Sequence, residues 1–249
     1  DPVARVAYNG PLVVLVDRYS ASASEIFAAA IQDYARGVIV GQQTFGKGTV
    51  QNLYSLDQYI RPDGDEGYGQ LTLTIGKYYR VTGESTQHRG VDPDIILPSH
   101  INAELVGESV RESALPWDTV QTTRFRSGVP LTETIESLTS AYAERAEGDP
   151  NVRYQLDVIE ATREMTSQKS LSLNKAVRRA ERENELQSRL DRENERRAAL
   201  DLEPIASLDD IEEDEFPDIS LEQATGIVTD LATMREIAST PPQAAQVQP

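Results

Sequence analysis

The run Pro11-Leu12-Val13-Val14-Leu15-Val16 is apolar at every position and too short to be a helix. A continuous apolar segment of strand length predicts a strand buried on both faces of a mainly parallel sheet. From Ser22 to about Ala35, alanines accompany Ile26, Phe27, Ala30, Ile31 and Tyr34 at helical spacing. Gly37-Val38-Ile39-Val40-Gly41 then reads as a second strand, which closes a strand-helix-strand unit. Further strands are expected over Thr49–Leu56 and from about Gln70 to Val81, where the alternation turns irregular near Gly76. A short apolar piece, Asp94 to Pro98, completes this half.

Near residue 100 the chain changes character. Pro116-Trp117-Asp118 opens a linker-like stretch, and helices are expected over Thr132–Ala146, 152–166, Leu173–Leu200 and Leu221–Ala238. The third is dense in Arg and Glu with sparse apolar positions, so it predicts one narrow packed stripe and much exposed surface. An acidic loop over Asp209–Asp218 separates the last two, and the tail from Pro241 predicts disorder. The domains read as an α/β part over 1–105, a helical extension over 106–239 and a tail over 240–249.

Composition narrows the chemistry. A net charge of −17 argues against non-specific nucleic-acid binding, which depends on neutralising phosphates. The absence of cysteine excludes thiol chemistry, and only His88 and His100 could serve a histidine base. No apolar run approaches the about 20 residues of a membrane helix. The start, Asp1-Pro2-Val3-Ala4-Arg5, has no initiator Met and no signal-peptide pattern, so the chain reads as a piece of a longer protein.

Ser22 with Glu25 fits the S-x-x-E capping box, a structural role in its own right. The same hydroxyl stands at a strand-to-helix junction, at the sheet edge where α/β proteins place ligands. There the free N–H of Ala23 is one oxyanion donor for a Ser22 nucleophile. Lys47 lies in Gly46-Lys47-Gly48 and is one of only four lysines. It reads either as a turn residue in water or as a general base, and the second role requires a neutral amine. Apolar walls from Phe45, Val50 and the helix would favour that form. Gln51 reads as an ordinary strand residue or as a carbonyl that orients the amine, if an extended backbone carries both side chains on one face. A phosphate-loop reading of Gly46-Lys47-Gly48-Thr49 is set aside on the glycine spacing before Lys47.

The segments Asp17–Ile26, Gly41–Gln51 and Gln87–Ile95 resemble the C-terminal processing peptidases, with Ser22, Lys47 and Gln51 in matching order and spacing. Glu112-Ser113-Ala114-Leu115-Pro116-Trp117-Asp118 and the Arg/Glu-rich helix are similar to the extension that marks the tail-specific protease branch of the bacterial periplasm. The resemblance implies an α/β core of ClpP/crotonase-like shape, incomplete here, followed by a mainly α-helical extension. It implies a serine endopeptidase with nucleophile Ser22, general base Lys47 and orienting Gln51, and it needs neither cofactor nor metal. Asp33 matches a position linked in the family to activity, although its helix location suits a structural role. Protein or peptide substrates are expected, with recognition of their C-termini by a PDZ domain and an adaptor lipoprotein as partner. Neither that domain nor the glycine-bearing strand expected to give a second oxyanion donor is found in this sequence. The alternative is a catalytically silent scaffold whose helical extension binds a partner protein.

Overall fold

The computed structural model describes residues 6–60, 67–211 and 217–239. The tail expected over 240–249 and acidic residues 212–216 lie outside the described residues. Two compact units are present, one of residues 16–94 and 101–131, the other of 6–15, 95–100 and 132–239 among the described residues.

The strand-helix-strand pattern expected from the apolar runs is present as β1 (Val13–Val16), whose last residue begins the first unit, α1 (Ala23–Asp33) and β2 (Val38–Gly41). Val38, Ile39 and Val40 are fully buried, as a strand covered on both faces must be. β1 departs from that expectation, since Leu15 stays 38% exposed. Both edges of β2 are bonded: Gln42 N–H donates to the Val16 carbonyl at 2.9 Å and Asp94 N–H to the Ile39 carbonyl at 2.7 Å. The Asp94 carboxylate accepts in return from Ile39 N–H at 2.7 Å and from the Gln32 amide at 2.8 Å. That pair of bonds ties α1 to the strand it precedes.

β3 (Thr49–Ser55) and β4 (Gln70–Lys77) form an antiparallel ribbon. Val50 pairs with Gly76 and Gln51 with Thr74, so Ile75 is an extra residue on β4. This bulge is the physical origin of the irregular alternation near Gly76 in the sequence. Beyond β4, Arg80 grips Asp33 at the end of α1, with Nη2–Oδ1 at 2.5 Å and Nε–Oδ2 at 3.1 Å. Asp33 is thereby a brace between helix and ribbon, with its side chain 4% exposed.

Residues 101–131 have little regular structure yet are bonded into this unit along their length. Arg18, itself buried, donates to the carbonyls of Val106 and Ala103 at 2.6 and 3.2 Å. Burial lowers the pKa of its guanidinium from the ordinary Arg value. Ser85 N–H donates to the Asp118 carbonyl, Trp117 Nε1 to the Ser85 carbonyl at 2.9 Å, and Gly128 N–H to the Tyr34 carbonyl at 3.0 Å. Lys77 meets the Asp118 carboxylate at 3.0 Å and the Pro116 carbonyl at 2.5 Å. The stretch that reads as a linker is held by hydrogen bonds that carry no periodic signal.

The second unit is helical from residue 132 on: α2 (Thr132–Glu147), α3 (Pro150–Ser167), α4 (Lys175–Ala199) and α5 (Ile219–Ser239). Asp149 caps α3 through Asn151 N–H at 2.8 Å, and Pro150 opens it, so the Gly-Asp-Pro break is a helix start. Leu138, Ile227, Leu231, Val152 and Ile159 make the core. The first turns of α4 are exposed, and only its end is anchored, where Arg196 donates to the buried Glu193 at 2.6 and 3.0 Å and to Asn151 at 3.0 Å.

The Lys77–Asp118 tether has a readable titration. The Lys77 hydrogen bond lowers the Asp118 carboxyl pKa below its ordinary value, against a smaller opposing effect of burial. Its contribution to stability is therefore full above the unfolded value of about 3.9 and is lost as pH falls through the lower folded value. Replacement Lys77→Met is expected to return the Asp118 midpoint upward towards the ordinary carboxylate range, read by carboxyl-carbon NMR titration.

Candidate active site

Six residues connect β1 to α1, and the last of them, Ser22, holds φ 58° and ψ −112°. A serine in the left-handed half of backbone space costs of order 1–3 kcal/mol and persists only where its surroundings fix it. Here the Ser22 N–H donates to Glu25 Oε2 at 2.8 Å, while the Ser22 carbonyl accepts from Glu25 and Ile26 N–H at 3.0 and 3.1 Å. The side chain is thus set at the N-terminus of α1, half-buried, with exposed Ala23 next. Among the described residues no acceptor meets the Ala23 N–H, which is one of the free donors a helix start provides.

Glu25 does more than cap the helix. It is fully buried, and its carboxylate takes four donors. Oε1 accepts from Thr44 Oγ1 at 2.5 Å and Gly46 N–H at 2.6 Å, and Oε2 accepts from Lys47 N–H and Ser22 N–H, both at 2.8 Å. One carboxylate therefore binds the Ser22 turn to the Lys47 loop. Charge-assisted bonds to an acceptor buried this deeply are the strong kind.

The loop is held at every residue from 43 to 48. Arg18 Nη1 donates to the carbonyls of Gln43's side chain, at 3.2 Å, and of Thr44. Phe45 N–H donates to the Ser20 carbonyl at 3.0 Å, and its own carbonyl accepts from Glu108 N–H at 3.0 Å. The Gly46 carbonyl accepts from His88 N–H at 2.8 Å, and Gly48 N–H donates to Gln87 Oε1 at 2.9 Å. Gly46 has φ +91°, and a Cβ there would lie 2.7 Å from the His88 carbonyl carbon and oxygen, so no other residue fits. Contrary to the expectation from sequence, glycine spacing does not exclude a phosphate loop here. Gly41 and Gly46 do enclose four residues, so the spacing conforms. What opposes that reading is Gly48 in place of Ser or Thr, and the fact that the N–H groups of Gly46, Lys47 and Gly48 already face a carboxylate and a side-chain carbonyl.

Ser22, Lys47 and Gln51 line one cleft of about 420 Å³, together with Ala23, Ile26, Val50, Leu53 and Tyr78 among others. Lys47 is half-buried and, among the described residues, has no ion-pair partner; no carboxylate lines the cleft. Among the described residues no hydrogen bond joins the Ser22 hydroxyl, the Lys47 amine and the Gln51 amide to one another. Gln51 Nε2 instead points to Thr74 Oγ1 at 3.4 Å, across the ribbon at the bulge. Lys47 also precedes β3, so period-two alternation does not relate it to Gln51; the shared cleft does. Phe45 is absent from the lining, and its ring lies 5.6 Å below the Arg111 guanidinium.

A model of peptidase family S41 matches residues 2–97, and a model of the C-terminal domain of tail-specific protease matches residues 101–233. The chain belongs to the tail-specific proteases of family S41. It is 39% identical over 234 residues to the tail-specific protease of Haemophilus influenzae, a match that covers 92% of this chain and 34% of that protein. It is 40% identical over 100 residues to the carboxy-terminal-processing protease of Bartonella bacilliformis, covering 40% of this chain and 21% of the relative. Among solved structures, the photosystem II D1 C-terminal processing protease aligns with TM-score 0.30 and 38% identity over 38% of this chain and 22% of that one. The chain thus spans about a third of the length of the tail-specific relative.

The sequence alone pointed to the three cleft residues but not to what holds them. Glu25 looks like a cap acid only, because its other partners lie some twenty residues ahead with no periodic relation to it. Tyr78 was also missed. It lines the cleft, and its N–H donates to the Gly48 carbonyl at 2.7 Å. Burial chiefly, with Asp33 acting in the same direction, raises its phenol pKa above the ordinary value, so the hydroxyl stays a donor at neutral pH. Among the described residues no cluster of three or more His, Asp or Glu is placed to hold a metal ion. Glu25→Gln would turn an amide nitrogen towards N–H donors. It is expected to lower unfolding free energy by about 2–5 kcal/mol, measured by urea denaturation, because each orphaned buried donor costs about 1–3 kcal/mol.

Proposed function

We propose that the chain carries the catalytic residues of a serine endopeptidase of the Ser-Lys type. The observation that carries this reading is the convergence of a strained Ser22, at a helix N-terminus, with Lys47 and Gln51 on a single cleft free of carboxylates. Lys47 has no ion-pair partner among the described residues and shares the cleft lining with Ile26, Val50 and Leu53, and the role of general base in this reading is that of a neutral amine.

In the first step the neutral Lys47 amine takes the Ser22 hydroxyl proton as Oγ bonds to the peptide carbonyl carbon. The resulting oxyanion is met by the Ala23 N–H, which no protein acceptor occupies among the described residues. Collapse breaks the C–N bond, the Lys47 ammonium passes its proton to the leaving amine, and an ester remains on Ser22. Water then attacks the ester, Lys47 takes its proton, and Oγ leaves and is reprotonated. The Gln51 carbonyl oxygen orients the amine in this scheme. That contact requires the ribbon amide to turn from Thr74, a tightening of the sort that substrate binding brings to loose apo sites.

The substrates of this reading are proteins or peptides, chosen by their C-termini through a PDZ domain outside this chain. Its compartment is the bacterial periplasm, and an adaptor lipoprotein is its partner; the kinship with the tail-specific protease of Haemophilus influenzae supports this setting. No helix of the described residues is long and apolar enough to cross a membrane. In the full-length protein, Ser22→Ala and Lys47→Ala are each expected to reduce cleavage of an unstructured protein by at least about 10³-fold. Gln51→Ala is expected to reduce it about 10- to 100-fold, as suits an orienting group. Gel-based turnover assays read all three, and undiminished cleavage by either of the first two removes the mechanism.

A further inference from the structure

Within the 101–131 segment, Glu108 reaches the Lys47 loop through its backbone directly and through its side chain by way of Gln87. Its backbone N–H donates to the Phe45 carbonyl at 3.0 Å, two residues before Lys47. Its carboxylate, 8% exposed, has Oε1 3.5 Å from Gln87 Nε2. Gln87 is fully buried, and its other side-chain atom, Oε1, accepts the N–H of Gly48, one residue after Lys47, at 2.9 Å. The contact is close: a Cβ on Gly48 would lie 2.6 Å from the Gln87 backbone nitrogen. The Gln87 N–H is itself engaged by Ser85 Oγ at 3.1 Å.

Chemistry gives this chain of contacts a direction. An ionised carboxylate only accepts, so Glu108 requires the Gln87 amide to present its NH2 on that side. The amide oxygen is then the atom left for Gly48. Reversed, the amide would set NH2 against N–H and oxygen against carboxylate, two repulsive contacts in a buried place. Glu108 therefore reinforces the orientation of Gln87 that the Gly48 N–H also requires, and it holds the Phe45 side of the same loop directly. With Glu25 on the N–H groups of Gly46 and Lys47, the backbone on both sides of the amine is bound.

We propose that Gln87, set by Glu108 of the 101–131 segment, is a positioning residue for Lys47, so that a segment within the C-terminal-domain match tunes the peptidase site. The inference rests on the Ser-Lys reading above. Misplacement of a catalytic group by about 1 Å can cost about 10²-fold in rate with binding little changed. The test uses the full-length protein, an unstructured protein substrate and a serine-directed fluorophosphonate probe, with circular dichroism to confirm folding. Gln87→Met removes both polar ends and is expected to lower kcat and the probe-labelling rate about 10²-fold, with KM within about threefold. Gln87→Glu keeps an acceptor for Gly48 but places two carboxylates together, and it too is expected to lose kcat. Adding Glu108→Gln to it restores one donor facing one acceptor at each contact, so the pair is expected to recover to within about threefold of the parent. A generic packing role would not give that recovery. Parent-like kcat in Gln87→Met, or a double variant no faster than Gln87→Glu alone, overturns the proposal. Controls Ser22→Ala and Lys47→Ala separate this from failure of the wider reading: if either still cleaves at the parent rate, the Ser-Lys mechanism itself falls.

Discussion

The carboxylate of Glu25 is the contact on which the arrangement of the first unit depends. A charge with no exposure to solvent is costly unless it is fully hydrogen-bonded. Glu25 meets that demand with donors from two places far apart in sequence, the Ser22 turn and the Thr44–Lys47 loop. The fold cannot satisfy the charge without bringing those places together, and bringing them together sets a hydroxyl and an amine on one cleft. Stability and site geometry thus share a cause here. The strained backbone at Ser22 is sustained by the same bonds.

Around this tie the unit is built in shells of decreasing regularity. β2 lies innermost, with both edges bonded and three residues wholly buried. The lysine loop comes next, irregular but bonded at each residue. Outermost in sequence terms are residues 101–131, which have almost no secondary structure and still reach Thr44 through Arg18 and Phe45 through Glu108. In this unit the hydrogen-bond network extends well beyond the helices and strands. The walls of the cleft remain apolar or neutral, which leaves the one amine there without a competing charge.

Much of this was legible in the residues. The apolar runs and the capping pattern located β1, α1 and β2, and Gly148-Asp149-Pro150 marked the boundary between α2 and α3 because all three residue types act through local backbone geometry. The bulge at Ile75 showed as broken alternation. Ser22, Lys47 and Gln51 were singled out by residue chemistry, spacing and the family resemblance together, and all three line one cleft. What stayed hidden was every bond between distant, aperiodic positions: Glu25 to the lysine loop, Arg80 to Asp33, Lys77 to Asp118. Burial of β1 was overestimated because an apolar run reports the wish of the side chains for cover, while Leu15 shows the cover incomplete. Period-two alternation within β3 does not extend to Lys47, because the strand starts at Thr49, yet Lys47 and Gln51 line the same cleft.

The left-handed backbone of Ser22 has one more consequence. At most positions, exchange of serine for glycine loosens a chain, because glycine has more freedom to lose on folding. At residue 22 the exchange would instead remove a steric penalty, since glycine occupies φ 58° without strain. The residue best suited to the backbone and the residue able to act as a nucleophile are different ones. On the proposed Ser-Lys reading, the demand of the backbone and the demand of the chemistry therefore oppose each other at one residue, and a more stable protein is expected one substitution away from an active one.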